Sequence, residues 1–375
     1  MRVGIDGHML GDRSGGNESY YTNILNNMYP VKDMELFLFV KKGVSAAAFA
    51  DRFTIIEFEE TGAFKRNFIE LPKLCKKYKL DLLHTQYFIP FRCPCPIVCT
   101  IHDICFEHYK DIFTKKEYIR QKLLIPYAAK HSQKIFTVSE NAKKDIADHY
   151  GVEEDNIIVT YNAVNNDFCV LTPEELEEDK LRVQFGIGDS RYILSVGNLQ
   201  PRKNLPRLIR AFSKMEKEMD ENIKLVIVGK KAWMFDGILK EACNQTDKII
   251  FTDYVTNKDL VRLYNAAACF VYPSFFEGFG IPPLEAMACG TPVAVSNKTS
   301  LPEVVGNAGS YFDPFEEDEI MEAMRKMLRK DYCSADLKEK MKKQAERFSW
   351  KESSRLIVNT YMDVVEKKDE DVQLC

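Results

Sequence analysis

Short apolar runs alternate with amphipathic stretches along the first half of the chain. The runs have the length of buried strands, and the stretches between them place apolar residues at helical spacing, as in Leu71, Leu74 and Cys75. Repeated βα units predict a parallel sheet that is covered by helices on both faces. The predicted strands are Val3–Asp6, Leu36–Val40, Thr54–Phe58, Leu82–His84, Ile97–Ile101 and Ile135–Val138, and helices are predicted to begin near Asn17, Asn67, Thr114 and Glu140.

The same alternation begins again at Tyr192 and continues through the second half. Its clearest helix has an apolar stripe from Leu205 to Met215, and Asn204 stands at its predicted N-cap. The acidic stretch 169–190 separates the halves and is the predicted linker. We therefore predict an α/β protein of two doubly wound, Rossmann-like domains that face a central cleft, with ligands bound beyond the carboxyl ends of the strands. The strands predicted here are Tyr192–Val196, Lys224–Val228, Ile249–Thr252, Cys269–Tyr272 and Pro292–Val295.

Composition narrows the class of protein without naming a function. The chain has 375 residues, 45% of them hydrophobic, and a net charge of −4. It contains no run of about 18 apolar residues, the length expected for a spanning helix. The first residues carry no secretory signal pattern, so we expect a cytoplasmic protein.

Cysteine and histidine side chains crowd one short stretch, which raises the question of a zinc site. Their spacing lacks the paired arrangement of a structural zinc site, and Cys99 lies within a predicted buried strand. We interpret these cysteines as small packed hydrophobic residues. The stretch contains Cys93, Cys95, Cys99, His102, Cys105 and His108.

Positive charge is concentrated in one part of the chain. Residues 61–150 contain 16 lysines and arginines against nine acidic residues. This surplus is expected either on solvated helix faces or on a patch that meets anionic lipid headgroups or a lipid-phosphate acceptor. Nucleic acid is not expected as a partner, because the chain has no nucleic-acid-binding motif and its remainder is acidic.

Two glutamates, Glu277 and Glu285, occur eight residues apart around a glycine-containing loop that follows a predicted strand. Two prolines begin a short helix after the loop, and Gly290 ends that helix. The free amides of such a helix start bind anions, and a carboxylate can accept hydrogen bonds from sugar hydroxyls. Spacing alone also fits a helix-dipole acid and a solvated loop acid.

The segment 274–293, SFFEGFGIPPLEAMACGTPV, resembles the E-x₇-E signature of the retaining glycosyltransferases of family 4, which have the GT-B fold. This resemblance implies that Glu277 and the loop backbone hold the donor sugar and that Glu285 holds the nucleotide ribose. It implies no metal, since the Asp-x-Asp metal signature belongs to the other main glycosyltransferase fold and occurs here only in the polar tail at 369–371. The implied loop contacts are Gly278, Phe279, Gly280 and Ile281.

The segment 195–205, SVGNLQPRKNL, resembles the family's cationic site for the donor diphosphate. Developing charge on a leaving diphosphate needs a cation nearby. Lys203 matches the family lysine, whereas Asn198 occupies the place of the usual arginine after Gly197. Arg202 is the expected substitute, and the P-R-K-N form resembles the mannosyltransferase B-like branch of the family.

The remaining site residues are implied by looser resemblances. Gly15 and Gly16 match a glycine pair near the donor phosphate and acceptor, and His102 matches a histidine beside the donor sugar. Ser139 and Asn141 are further candidates for ligand contact. In the second half, Gly229 is implied to face the phosphates and Val255 to meet the nucleobase.

The resemblance implies that the acceptor and the donor belong to different domains of the chain. Residues 1–170 are expected to form the acceptor-side domain and residues 171–350 the nucleotide-sugar donor domain. Residues 351–375 are expected to form a helix that crosses back to the first domain. The catalytic residues implied are Arg202, Lys203, Glu277 and His102.

The expected reaction is hexose transfer to a hydroxyl of a glycan or a lipid-linked acceptor, with retention at the anomeric carbon. The expected donor is GDP-mannose, with UDP-glucose or a UDP-N-acetylhexosamine as alternatives. A sugar-nucleotide-binding protein without transferase activity and an epimerase of the same architecture remain as other interpretations. No cofactor is expected, and peripheral contact with the inner face of the plasma membrane is expected only if the basic 61–150 region binds lipid.

Overall fold

A computed structural model describes residues 1–11, 15–60, 62–230, 247–329 and 331–373, with side chains up to residue 367 in the last helix. The chain divides into two compact units. The first comprises Met1–Asn162 together with Ser349–Cys375, and the second comprises Ala163–Phe348. The 169–190 stretch therefore lies within the second unit, and the prediction that it links the two halves was wrong.

The described residues of the first unit build a parallel sheet of the strands β1 (Arg2–Asp6), β2 (Glu35–Val40), β3 (Thr54–Glu57), β4 (Leu82–Gln86), β5 (Ile97–Thr100), β6 (Lys134–Thr137) and β7 (Ile157–Val159). Their order across the sheet is β3-β2-β1-β4-β5-β6-β7. The predicted strands are present, and the additional edge strand β7 was missed because it is only three residues long. The central strands are buried on both faces, as expected for a sheet covered on both sides.

Two helices of the first unit begin with a side chain that caps their free amides. Thr114 and Glu117 form a reciprocal capping box at the start of one helix, and Ser139 accepts from the Ala142 amide at the start of the next. The stretch Ala63–Lys65 continues through a π-helical turn, Arg66–Glu70, into Leu71–Lys77. The other α-helices are Gly16–Asn27, Cys105–His108, Lys115–His131, Glu140–Tyr150 and Trp350–Gln373.

The helix Trp350–Gln373 packs within the first unit through buried polar contacts. The Tyr361 hydroxyl lies 2.6 Å from His84 Nδ1, and His84 Nε2 lies 2.7 Å from the Thr100 hydroxyl. The Ser354 hydroxyl donates to the Ile24 carbonyl at 2.9 Å. These contacts join the helix to β4, β5 and the first helix of the chain.

The described residues of the second unit build another parallel sheet, of the strands β8 (Arg191–Val196), β9 (Ile223–Val228), β10 (Ile249–Phe251), β11 (Cys269–Tyr272), β12 (Val293–Ser296) and β13 (Ser310–Phe312). Their order across the sheet is β10-β9-β8-β11-β12-β13. Chain order reverses at β8, which has β9 on one side and β11 on the other. The three-residue edge strand β13 was not predicted.

Helices cover the second sheet with apolar stripes of the predicted kind. In Leu205–Lys217, the residues Leu208, Ile209 and Phe212 are completely buried. Within the described residues, no helix is both long enough and apolar enough to cross a membrane. The other α-helices described are Pro173–Leu176, Glu178–Gln184, Asn257–Ala266, Ile281–Ala288, Leu301–Val305, Glu317–Leu328 and Ala335–Glu346.

Candidate functional site

Two of the predicted motifs meet at the carboxyl ends of neighbouring strands in the second unit. Strand β8 leads into the turn Pro201–Lys203, and β11 leads into the loop that carries Glu277. Because β8 and β11 pair in parallel, both segments emerge from the same edge of the sheet. This is the position at which open α/β sheets bind ligands, next to the point where strand order reverses.

Glu277 is the centre of this arrangement. Its Oε1 atom accepts from Lys203 Nζ at 2.6 Å and from the Tyr272 hydroxyl at 3.0 Å. Its Oε2 atom lies 2.8 Å from Arg202 Nη1, and the Ser274 hydroxyl also donates to Oε1. The structure thus brings together Glu277 from one predicted motif and Arg202 and Lys203 from another, and it adds contacts from Tyr272 and Ser274.

The charges around Glu277 determine its ionisation. Burial alone would raise its pKa, but the attraction of Arg202 and Lys203 outweighs burial and lowers the pKa to about 2. The Glu277 carboxyl is 7% exposed, Lys203 10% and Arg202 24%. The cluster therefore carries a fixed carboxylate and two cations, of which Arg202 is the more accessible.

Backbone contacts hold the Glu277 loop in place. The Ser300 hydroxyl lies within hydrogen-bonding distance of two carbonyl oxygens, those of Glu277 at 2.9 Å and Phe279 at 2.7 Å. The Glu277 amide donates to the Thr299 hydroxyl at 3.1 Å. These bonds fix a loop that has no regular secondary structure of its own, which gives its side chains a defined direction.

The cationic turn is tied to the same loop. The Phe275 amide donates to the Arg202 carbonyl at 3.1 Å, and the Ser274 hydroxyl oxygen lies 3.0 Å from the same carbonyl oxygen. Asn204 is the N-cap residue of the following helix, as predicted, but its side chain does not bond to the amides of the first turn. Its backbone is left-handed, and its side-chain amide donates instead to the carbonyls of Pro273 and Pro314.

Gly280, whose φ is +112°, is the N-cap residue of the helix Ile281–Ala288. A glycine at this position has no side chain to cap the first turn, so the helix amides there are left for another acceptor. A Cβ on Gly280 would lie 2.6 Å from Leu301 Cδ2, which leaves little room for another residue. Of the neighbouring predicted contacts, Gly278 and Phe279 are buried, and the Phe279 ring packs edge-on against Phe348.

Glu285 lies in the first turns of that helix and is half-buried. Its Oε2 atom accepts from the Tyr264 hydroxyl at 2.9 Å. Burial raises its pKa to about 7, and the Tyr264 hydrogen bond opposes that rise only in part. Glu285 therefore changes charge near neutral pH, whereas Glu277 does not.

Gly197 and Gly229 end the adjacent strands β8 and β9, and their backbones approach each other closely. A Cβ on Gly229 would lie 2.1 Å from the Gly197 carbonyl oxygen, and Gly229 has a φ of +155°. The Gly229 amide donates to the Asp253 carbonyl at 3.1 Å, and Val255 is buried two residues further on. The structure thus gathers Gly197, Gly229 and Val255 at the ends of three consecutive neighbouring strands.

The predicted residues of the first unit lie at the carboxyl edge of its own sheet. Gly15 and Gly16 form the uncapped start of the first helix, and Gly15 has a φ of +83°. His102 follows β5 and is buried, which lowers its pKa to about 3 and keeps its ring neutral. Ser139 is buried as a helix cap, whereas Asn141 is exposed.

Sequence reasoning missed Gln86, which ends β4 beside His102. Its Nε2 atom is within hydrogen-bonding distance of His102 Nε2, and its Oε1 atom is buried without a protein partner in the described residues. Tyr20 packs edge-on against the His102 ring at 4.8 Å between centroids. A polar residue at the end of a predicted strand is the signal that would have identified Gln86.

The Asp369–Asp371 triplet falls where side chains are outside the described part of the chain. The ligand contacts assigned to the residues above remain predictions. The second unit places two cations, Arg202 and Lys203, beside the Glu277 carboxylate, in the loop that leads to the helix Ile281–Ala288.

Two family models match the chain. The model for glycosyl transferases group 1 matches residues 177–348, and the model for glycosyltransferase family 4 matches residues 47–168. Together they cover most of both units.

The chain belongs to the family 4 glycosyltransferases and has the GT-B fold. It is 34% identical over 296 residues to the O-antigen chain mannosyltransferase B of Escherichia coli, a match that covers 76% of this chain and 75% of the relative. It is also 30% identical to the serotype-specific mannosyltransferase WbdA of Escherichia coli, over 74% of this chain. The match spans only 34% of the length of WbdA.

Solved structures agree on the fold. WaaG, a glycosyltransferase involved in lipopolysaccharide biosynthesis, has a TM-score of 0.75 at 18% identity, over 96% of this chain and 99% of its own. HepE of Anabaena in complex with UDP-glucose also has a TM-score of 0.75, at 17% identity, over 97% of this chain and 100% of its own. The predicted family and fold class are thus confirmed.

Proposed function

We propose that this protein transfers mannose from GDP-mannose to a hydroxyl of a glycan or lipid-linked acceptor, with retention at the anomeric carbon. The observation that carries the proposal is the Glu277 cluster, in which one carboxylate holds Arg202 and Lys203 at the carboxyl edge of the second sheet. The preference for mannose rests on the mannosyltransferase relatives.

The cations supply the main catalytic effect in this proposal. The bond between the anomeric carbon and the diphosphate oxygen breaks, and negative charge develops on that oxygen. Arg202, Lys203 and the amides at the start of Ile281–Ala288 would stabilise this charge. Because Glu277 fixes both cations before the donor arrives, little reorganisation is required at the moment of reaction.

The acceptor proton needs no protein base in this mechanism. The acceptor oxygen bonds to the anomeric carbon on the face that the leaving group vacates, which retains the configuration. Its proton passes to the departing phosphate oxygen, and the nucleoside diphosphate is released. Glu277 and Glu285, as acceptor-only groups, would orient donor hydroxyls rather than transfer protons.

Donor binding should depend on pH through Glu285. In this proposal, the Glu285 carboxyl group accepts hydrogen bonds from the ribose hydroxyls when it is ionised, and its pKa is about 7. We expect GDP-mannose to bind more tightly at pH 8 than at pH 6. A Glu285→Gln variant should bind about tenfold more weakly at pH 8, as for the loss of one charged hydrogen bond, and should lose most of the pH dependence.

A thermal-shift titration with GDP-mannose, UDP-glucose and a UDP-N-acetylhexosamine at both pH values measures these affinities, because a ligand of the native state raises the melting temperature. Sugar transfer to a polysaccharide acceptor is then followed with the donor that binds. Stabilisation by UDP-glucose alone would overturn the choice of mannose and favour the UDP-hexose alternative, to which the UDP-glucose complex of HepE draws attention. Conversion of the donor to an isomer without an acceptor product would favour an epimerase.

Peripheral contact with an anionic membrane is the second part of the proposal. The rings of Phe64, Phe68, Phe91 and Tyr127 follow one another at centroid distances of 4.9, 4.6 and 5.0 Å. Phe64 and Phe91 are exposed, and the surrounding 61–150 region carries the surplus of positive charge. Aromatic rings beside lysine and arginine suit a lipid interface.

Co-sedimentation with phosphatidylglycerol vesicles tests this contact. We expect binding that weakens with salt and falls when Phe64 and Phe91 are both replaced by serine. The matched control replaces the exposed Tyr254 of the second unit by serine. Equal binding by both variants would contradict the proposal.

A further inference from the structure

Three cysteine thiols lie together in the first unit. Cys75 belongs to the helix Leu71–Lys77, and Cys93 and Cys95 belong to the connection between β4 and β5. Cys93 Sγ is 3.7 Å from Cys75 Sγ and 3.6 Å from Cys95 Sγ. All three sulfur atoms lie within 4.8 Å of one another.

The fold corrects the grouping of cysteines made from the sequence. Cys93 and Cys95 were interpreted as packed residues alongside Cys99 and Cys105, and those two are indeed buried apart from the cluster. Cys75 is the missing member. It lies 18 residues before Cys93 and reaches the cluster only because its helix packs against the β4–β5 connection.

We propose that Cys75, Cys93 and Cys95 form a three-thiolate site for a zinc ion. Zinc–sulfur bonds are about 2.3 Å long, so sulfur atoms in a tetrahedral zinc site are about 3.8 Å apart. The two shorter sulfur separations in the cluster are within a few tenths of an ångström of that spacing. Within the described residues, no other group of histidine, cysteine and acidic side chains brings three ligand atoms this close.

Burial indicates how the fourth coordination position is filled. Cys75 and Cys95 are 1% and 7% exposed, whereas Cys93 is half-buried. Solvent therefore reaches the cluster from the Cys93 side, where a water molecule would complete the tetrahedron. Binding converts three thiols to thiolates, releases three protons, and leaves a site with a net charge of about −1.

Lys76 and Lys77 follow Cys75 directly, so positive charge lies close along the chain to offset the anionic site.

The ion would have a structural role. It would tie the helix Leu71–Lys77 to the connection that carries Phe91, whose ring stacks on Phe68 at 4.6 Å. The zinc site would thereby hold the exposed aromatic rings in position. This inference is independent of the proposed sugar transfer.

The test uses the whole protein, purified under reducing conditions, and measures its metal content by mass spectrometry. We expect one zinc ion per chain in the wild-type protein and after Cys333→Ser, a control at a half-buried cysteine outside the cluster. Cys93→Ser should lose stoichiometric zinc, with affinity falling by at least about tenfold as expected when a metal site loses a supporting contact. Replacing zinc by Co²⁺ should give thiolate-to-metal charge-transfer absorption in the wild-type protein and not in Cys93→Ser.

Circular dichroism of Cys93→Ser separates loss of the ion from loss of the fold. A reduced wild-type protein that binds no stoichiometric Zn²⁺ would overturn the proposal, as would zinc retained in a folded Cys93→Ser variant. A wild-type mass lower by two hydrogens, with two of the three thiols blocked to alkylation, would overturn it in favour of a disulfide. None of these outcomes depends on transferase activity.

Discussion

Replacement of Lys203 by alanine is expected to slow sugar transfer by about 10²–10³-fold, the effect of removing one preorganised group that stabilises developing charge. Lys203 Nζ is held 2.6 Å from Glu277 Oε1 and also donates to the Tyr272 hydroxyl. It lies 4.8 Å from the centroid of the Tyr272 ring. Mobile solvent cations cannot replace an ammonium group that Glu277 and Tyr272 hold in place, so the loss should be large.

The measurement is steady-state transfer from the donor identified by binding. A group that acts on the leaving diphosphate should lower kcat as well as kcat/KM, whereas a group that only binds the ground state would raise KM. Lys214→Ala is the matched control, because Lys214 lies in the same unit and is half exposed beside Glu317 and Asp318. Turnover of Lys203→Ala within twofold of the wild type would remove Lys203 from the catalytic residues.

The Lys203–Glu277 contact also marks the limit of what sequence could predict. Each motif was recognisable because a strand end, a glycine or proline, and a charged side chain are local features. The contact between them depends on β11 lying next to β8, and strand order is set by the packing of the whole sheet. The sequence therefore predicted the two halves of the cluster without predicting that they form ion pairs.

Tyr272 and Ser274 illustrate the same limit at the level of single residues. Tyr272 ends β11 and looks like an ordinary buried strand residue in the sequence. Only its position beside Glu277 gives its hydroxyl a role, as a donor to the carboxylate at 3.0 Å. Ser274 had a usable signal, because a serine three residues before a glutamate is part of the family pattern.

Two other differences between the predicted and the observed structure concern the edge strands and the segment 169–190. The edge strands β7 and β13 have three residues each, too few for a periodic pattern to distinguish them from loops. The segment 169–190 has the acidic composition of a linker, but two of its residues are bonded to the rest of the second unit. The Leu171 amide donates to Asn265 Oδ1, and Glu177 forms an ion pair with Arg262. An acidic composition indicates only that a segment is exposed to solvent, whereas these two bonds determine which unit the segment belongs to.

Replacement of Glu277 should destabilise the second unit more than any other single change in the cluster. Glu277→Ala leaves the positive charges of Lys203 and Arg202 next to each other in a poorly solvated place. Removing one partner of a buried ion pair lowers the free energy of unfolding by about 3–5 kcal/mol. Glu277→Gln keeps the shape and the Ser274 and Tyr272 contacts but removes the charge. We expect it to lose about 3 kcal/mol at pH 7, the value of a pKa lowered from 4.5 to about 2.

The pH dependence separates this electrostatic effect from a packing defect. The folded-state pKa of Glu277 lies below its unfolded value, so its charge stabilises the fold fully above about pH 4.5, and that stabilisation is lost as the pH falls towards 2. Urea unfolding should therefore show a gap between wild type and Glu277→Gln that is constant from pH 7 to pH 5 and shrinks below it. Glu317→Gln, which removes a more exposed partner of Arg210, should cost no more than about 1 kcal/mol at any pH.

A gap between wild type and Glu277→Gln that persists undiminished at pH 3 would show that packing, and not charge, accounts for the loss. The same variant also bears on catalysis. If Glu277 acts mainly by holding Lys203 and Arg202, Glu277→Gln should reduce kcat while leaving the donor able to bind, because the cations remain present but are less fixed. If it grips the donor sugar directly, donor affinity should fall as well, and the thermal-shift titration at pH 8 distinguishes the two roles.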